Sequence, residues 1–275
     1  IEMISDTTIK NQNFDLQKHI EEGVAQIVSD AIRATLKDPK ESAFMARFAI
    51  ASKKASKIRQ QAEERGDGGW LMKALLVRRQ LAEDISPDSA ALFIPLLEKH
   101  LQAEKNPAMQ ALYHCVLGYL WQHGAENTER YRQTEARNHY GLALAHPKEL
   151  AVSRAKDFVP LVVTGAEEEV FHGDLLNIVA RFCGRSSQEI AFRQDGKKDT
   201  LARKIFHAAL QIYRQQTNRR AESMLLMDSA DVCISGEKRN FYSQMIGRFG
   251  DLDVGVEAYV RLAQESVPEE AYQLL

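Results

Sequence analysis

The stretch PAMQALYHCVLGYLWQ, residues 107–122, decides the fold class of this chain. Its large apolar residues recur at steps of three and four, and together they cover most of a helical cylinder rather than one narrow stripe. A helix of this kind must be buried on more than one side. Asn106 suits the N-cap and Pro107 suits the first helical position. The stretch therefore predicts the central helix of an all-helical layer, with an apolar surface made by Met109, Leu112, Tyr113, Val116, Leu117, Leu120 and Trp121.

The same helical period continues on both sides of this stretch. Upstream it predicts helices at about 14–36, 42–64, 70–83 and 89–104, and downstream at about 174–183, 201–213, 220–234, 238–249 and 254–265. The Gly66–Gly69 cluster ends the second helix, and Pro95 means that the fourth is either kinked or begins late. Residues 124–137 form either a long loop or a solvated helix. Gly184 is expected to end the helix that begins near Asp174.

These elements predict an all-α fold, a helical-hairpin array or α-α superhelix of tetratricopeptide-like character without a substantial β-sheet. Only the run from Val159 to Val163 has strand character, and nothing nearby offers a partner strand. We expect a flexible tail at 1–13, a first part of the array at 14–184 and a second at 198–275. The second part continues the first across the polar stretch between them.

Bulk composition excludes several classes of protein. The chain has 275 residues, with 36 basic and 38 acidic side chains and a formal charge of -2, so it has no general field that attracts nucleic acid or an anionic membrane. The sequence contains neither an apolar run of membrane-spanning length nor a signal peptide. Because it begins with Ile, we expect a fragment of a longer protein. Its three cysteines, Cys115, Cys183 and Cys233, argue against a disulfide framework and favour small buried residues.

Residues that suggest chemistry are few, and each has a simpler structural explanation. His114 and Cys115 resemble a base and a nucleophile, but neighbours on a helix point about 100 degrees apart. The Gly66–Gly69 cluster lacks the strand, loop and helix context of a phosphate-binding loop. None of the eight histidines forms a metal-binding pair with helical spacing. We therefore predict no catalytic, cofactor-binding or metal-binding residue and no cofactor; a helical enzyme with a site assembled from remote residues is the least favoured alternative.

Three charged clusters also give no binding site. The acidic run Glu167–Glu169 suits a helix N-terminus or a loop. Arg214, Arg219 and Arg220 form one basic cluster and Lys197–Lys198 another, but neither is interleaved with aromatic residues as a nucleic-acid platform would be.

Four runs, in this order, resemble the N-terminal helical region of alpha-2-macroglobulin family proteins of Bacteroidetes-type bacteria. They are KASKIRQQAEERGDGGWLMKALLVRRQLAED, NPAMQALYHCVLGYLWQ, the connector from ALAHPKEL to DFVPLVVTG with HGDLLNIVARF, and IGRFGDLDVGVEAYVRLAQ. The family's chemical hallmark is a Cys-Gly-Glu-Gln thioester. Here Cys183-Gly184 is followed by Arg185-Ser186, so no thioester forms in this chain and no functional residue is carried over.

The resemblance implies a non-enzymatic helical-repeat interaction or scaffold module at the N-terminus of a larger protease inhibitor. It also implies a periplasmic or cell-surface parent protein. The expected partners are the downstream domains of the same polypeptide or another protein, with proteases met only through the parent and with no nucleic acid or membrane insertion. The alternative is an independent tetratricopeptide-like adaptor protein.

Overall fold

A computed structural model describes residues 40–83, 93–123, 129–158, 173–195, 200–231 and 235–266. Within these ranges the chain forms α-helices and one short 3-10 helix but no β-strand. The only extended pairing in this part of the chain is an isolated antiparallel bridge between Arg154 and Asp174. The predicted all-α fold is therefore confirmed. The predicted tail at 1–13, the predicted helix at 14–36 and the run 159–163 lie outside the described residues.

The helices are numbered here in chain order. They are α1 (Lys40–Arg65), α2 (Gly68–Glu83), α3 (Phe93–Ala103), α4 (Pro107–His123), α5 (Glu129–Leu142), α6 (Pro147–Val152), the 3-10 helix η1 (Ala155–Phe158), α7 (Leu175–Asp195), α8 (Thr200–Gln215), α9 (Arg219–Asp231), α10 (Ser235–Phe249) and α11 (Asp253–Gln264). None of these described helices combines the length and apolar character needed to cross a membrane.

The chain divides into two compact units, Ile1–Phe93 and Ile94–Leu275. In the first unit, α1 and α2 pack together as a hairpin. Gly66 has a φ of 66°, a conformation that glycine adopts without a Cβ penalty, and it ends α1 as predicted. The Asp67 carboxylate then accepts a hydrogen bond of 3.0 Å from the Trp70 amide and caps α2, which begins two residues before its predicted start.

In the second unit, α4 packs against α5, α6 and α7. The more central helix is α7, which contacts α4, α5, α6, α8 and α9. The Asn106 side chain accepts a hydrogen bond of 2.9 Å from the Ala108 amide, which confirms the predicted N-cap. Buried residues occur on several faces of the helix rather than on one. They are Ala108, Met109, Ala111, Leu112, Tyr113, Cys115, Leu117, Gly118 and Leu120.

The predicted helix end at Gly184 is wrong. The helix α7 continues through Gly184 to Asp195, so the polar residues from Arg185 onward are its second half and not a connector. Gly184 serves close packing instead, because a Cβ built on it would lie 2.6 Å from the Phe206 ring of α8. Gly118 of α4 has the same role against the Tyr140 ring of α5. The predicted division of the array into 14–184 and 198–275 stays a prediction.

One of two open alternatives is resolved by the described residues. The polar stretch before Tyr140 is a solvated helix, since α5 begins at Glu129, and Tyr140 itself is buried. In α3, Pro95 is the third described residue. The residues directly before Phe93 lie outside the described part of the chain, so the choice between a kink and a late start stays open.

From α7 to α11, each helix packs on the next one in the chain. In addition, α7 contacts α9, and α9 contacts α11. These three helices are therefore neighbours along one face of the second unit. Their shared face carries the site described below.

Candidate functional site

The shared face of α7, α9 and α11 contains a groove of about 510 Å³. We call it the arginine groove, because three helices contribute arginines to it. Its lining residues are Arg181, Arg185, Arg220, Ser223, Met224, Met227, Asp228, Asp251, Leu252, Asp253, Val254, Glu257 and Arg261. Chemically the groove combines guanidinium groups, carboxylates and two thioethers.

Asp228 of α9 is the buried anchor of the groove, with a side chain only 4% exposed. Its Oδ2 lies 2.5 Å from Arg181 Nε, and its Oδ1 accepts a hydrogen bond from Arg185 Nη2. Both arginines belong to α7, where a spacing of four places them on the same face, so both reach the one carboxylate. Two cations thus share one buried anion, so the formal charges of these three side chains sum to a positive value.

The floor and the far wall of the groove have a different character. Met224 and Met227 of α9 line the floor. Asp253 and Glu257 of α11 line the far wall, where Glu257 Oε1 pairs with Arg261 Nη2 at 2.7 Å. The groove is therefore positive toward α7, apolar in its floor and acidic toward α11.

A second buried carboxylate holds the helices that carry the groove. Glu222 Oε1 of α9 lies 2.7 Å from Arg214 Nε of α8 and 2.8 Å from Arg248 Nη2 of α10. Arg219 binds Asp251 through both Nη atoms, at 2.9 and 2.7 Å. Two members of the basic cluster predicted at Arg214, Arg219 and Arg220 are thus engaged in ion pairs. Arg214 pairs with Glu222 of α9, and Arg219 pairs with Asp251 in the connector between α10 and α11. Their role in this structure is to fix α9 between its neighbours.

His114 and Cys115 do not face each other as a catalytic pair would. His114 Nδ1 lies 2.9 Å from His139 Nδ1 of α5, whereas Cys115 Sγ lies 3.5 Å from Cys183 Sγ of α7. The two neighbours on α4 point to different helices, as the helical rotation between adjacent residues requires.

The His114–His139 pair restricts the protonation of both rings. A bond between two Nδ1 atoms needs a protonated donor on one ring and a lone pair on the other, so both rings cannot be imidazolium ions. Burial lowers the pKa of both histidines, and for His114 the neighbouring His139 adds to this effect and brings its pKa to about 4. The pair is accordingly stable in its neutral form.

We expect acid to destabilise the protein through this pair. Because the folded pKa of His114 lies below the ordinary 6.5, its contribution to stability is complete above about pH 6.5 and is lost as the pH falls toward 4. The loss should reach no more than about 3 kcal/mol, since the site is partly exposed. Urea unfolding at pH 7.5 and pH 4.5 measures it.

The matched control is the His114→Gln and His139→Gln double variant. Burial raises the pKa of Glu98 and Asp174, so their protonation at low pH stabilises the folded protein and opposes the effect of the histidines. Only the difference in pH dependence between the wild type and the variant therefore reports the histidine pair. An equal pH dependence in both proteins would contradict the assignment.

The described residues contain no group of three or more His, Cys, Asp or Glu side chains arranged to hold a metal ion. The predicted absence of catalytic, cofactor and metal residues stays a prediction. Three of the weighed features, Glu167–Glu169, Lys197–Lys198 and Cys233, lie outside the described residues.

Sequence reasoning missed the arginine groove. Arg181 and Arg185 have the spacing of one helical turn, but the predicted helix end at Gly184 separated them. The one sequence signal for this site was the position of Asp228 in a mostly apolar run, Met224–Ala230. An acidic side chain that is buried in such a run needs a charged or hydrogen-bonding partner. Its partners lie 43 and 47 residues earlier in the sequence.

No family model matches the chain, and comparisons with curated proteins and with solved structures find no match either.

Proposed function

We propose that this chain is a non-enzymatic helical-repeat module that binds a polypeptide segment in the arginine groove. The observation that carries the proposal is the groove itself, a concave site made by three successive members of one helical layer. Stacked helices commonly bind extended partners along such a face. The described residues supply charge and shape at this site.

The distribution of charge specifies the partner. By formal charge, the lining residues of α7 and α9 are mainly basic and those of α11 with its preceding connector mainly acidic. The first set is Arg181, Arg185 and Arg220 with Asp228, and the second is Asp251, Asp253 and Glu257 with Arg261. Complementary potentials select a partner and fix its register on the surface. The fitting segment therefore presents acidic side chains toward α7 and basic side chains toward α11.

The methionine floor adds apolar contact to this charge pattern. Met227 is buried, while Met224 is partly exposed in the groove. Unbranched thioether side chains adapt to partners of different shape. We expect an apolar side chain of the bound segment to lie on Met224, between the two charged edges.

Selection from a displayed library of random peptides tests this function. Enriched peptides should combine acidic and basic residues around an apolar one, and Arg185→Glu should weaken their binding by at least tenfold, or about 1.4 kcal/mol. Arg193→Glu is the matched control, because Arg193 is exposed on the same helix, pairs with Glu189 and does not line the groove. Its effect should stay below about twofold, as expected for a charge outside the interface.

Circular dichroism and thermal melting of both variants separate loss of binding from loss of fold. Arg185→Gln, which removes the charge without reversing it, should give an intermediate affinity. Peptides that bind Arg185→Glu and the wild type equally well would show that the groove is not the binding surface.

We further propose that the module is the N-terminal segment of a bacterial alpha-2-macroglobulin-like protease inhibitor at the cell surface or in the periplasm. The support is the set of four runs and their order, and the groove would then receive a segment of a later domain or of another protein. The complete reading frame distinguishes this parent from an independent tetratricopeptide-like adaptor. A downstream extension of well over a thousand residues with β-sandwich patterning supports the inhibitor, and a stop codon directly after Leu275 excludes it.

A further inference from the structure

Two of the three cysteines lie side by side in the second unit, although 68 residues separate them in the sequence. Cys115 belongs to α4 and Cys183 to α7, both are buried, and their sulfurs are 3.5 Å apart. We propose that Cys115 and Cys183 are a covalent modification site, at which oxidation forms a disulfide that links α4 to α7. The inference is independent of the arginine groove.

The two cysteines lie in an interface between helices that is already packed. The helices α4 and α7 already pack on each other, and a hydrogen bond of 3.4 Å joins Gln122 to Glu189 farther along the same interface. A disulfide needs a sulfur separation of about 2.05 Å, so the two sulfur atoms must approach by about 1.5 Å. Small rotations of two short side chains are the expected means.

The reaction is a thiol–disulfide exchange, and a small-molecule disulfide such as oxidised glutathione supplies the oxidising equivalents. The thiolate of Cys115 attacks one sulfur of glutathione disulfide and releases one glutathione thiolate. The Cys183 thiol then loses its proton to solvent and attacks the mixed disulfide at Cys115, which releases the second glutathione. Two protein thiols lose two electrons, and one glutathione disulfide gains them.

The bond should form during folding rather than in the folded protein. Burial raises the pKa of the Cys183 thiol, so little of the reactive thiolate is present once the core has closed. The same burial protects a finished disulfide from reducing agents. The modification therefore depends on the redox state of the compartment in which the chain folds.

Oxidative refolding tests the proposal. The full chain is unfolded, then refolded either in a mixture of oxidised and reduced glutathione or with a reducing agent. We expect the oxidised product to lose about 2 Da, to keep one reactive thiol in denaturant and to yield a linked pair of peptides containing Cys115 and Cys183. The disulfide closes a long loop. The melting temperature of the oxidised protein should therefore exceed that of the reduced protein by at least about 5 °C.

Two variants control for the identity of the pair. Cys233→Ala should keep the crosslink and the rise in melting temperature. Cys183→Ala should remove the crosslink and the rise in melting temperature. Each variant is compared with its own reduced form, so a loss of packing lowers both melting temperatures and does not affect their difference. The proposal is overturned if all three thiols remain reactive after oxidative refolding, if the crosslink involves Cys233, or if the linked protein melts no higher than the reduced one.

Discussion

Leu120→Ala should lower the free energy of unfolding by about 2 to 5 kcal/mol. Leu120 is 3% exposed on α4, which packs against α5, α6 and α7, so truncation of its side chain leaves a cavity in the core. In a protein of this size the change corresponds to a fall of roughly 5 to 15 °C in melting temperature. Denaturant unfolding followed by circular dichroism measures it.

Leu142→Ala provides the matched control. Leu142 ends α5 and is 52% exposed, so its truncation should change the stability by no more than about 0.5 kcal/mol. Similar losses in the two variants would mean that the centre of the core has been placed wrongly.

The second large effect should come from adding one methyl group. In Gly118→Ala the new Cβ would lie 2.4 Å from Cε1 of Tyr140. The ring is fully buried, and its hydroxyl donates a hydrogen bond of 2.6 Å to Gln122 Oε1, so it has little freedom to move away. We expect the free energy of unfolding to fall by about 1 to 3 kcal/mol, although alanine has the higher helix propensity.

Gly247→Ala should instead raise the free energy of unfolding. A Cβ at Gly247 in α10 meets nothing within 4 Å, so helix propensity alone predicts a gain of up to about 1 kcal/mol.

A double-mutant cycle with Tyr140→Leu completes the test, because the smaller side chain should reduce the penalty of Gly118→Ala. If the penalty is unchanged in that background, the contact between Gly118 and Tyr140 is not its cause.

Gly118 and Gly184 make the same kind of packing contact. Gly118 of α4 accommodates the Tyr140 ring of α5, and Gly184 of α7 accommodates the Phe206 ring of α8. In both cases the aromatic residue follows its glycine by 22 positions and comes from the next long helix in the chain. A glycine inside a helix costs stability by itself, and the close approach of a large ring offsets that cost. In these two helix pairs, a glycine as well as the apolar stripe therefore determines how the helices pack.

The arginine groove and the cysteine pair depend on the same helix, α7. Its first half carries Cys183 toward α4 and Arg181 toward Asp228 of α9. A disulfide to α4 would hold the helix that presents the arginines, without contact with the groove itself. Measuring the affinity of selected peptides for the oxidised and reduced proteins would show whether this rigidity affects binding.

Local sequence determined much of what is regular in this protein. The apolar period of residues 107–122, the Asn106 cap, the end of α1 at Gly66 and the all-α class follow from interactions between residues within a few positions of one another, which a linear sequence displays directly. Only the tertiary structure decided the rest. Gly184 could not be recognised as a packing glycine rather than a helix end, because the Phe206 ring that explains it comes from another helix. Likewise, Asp228 meets Arg181 and Arg185, Cys115 meets Cys183, and His114 meets His139 across distances of 25 to 68 residues, where the folding of the chain and not its local pattern brings side chains together.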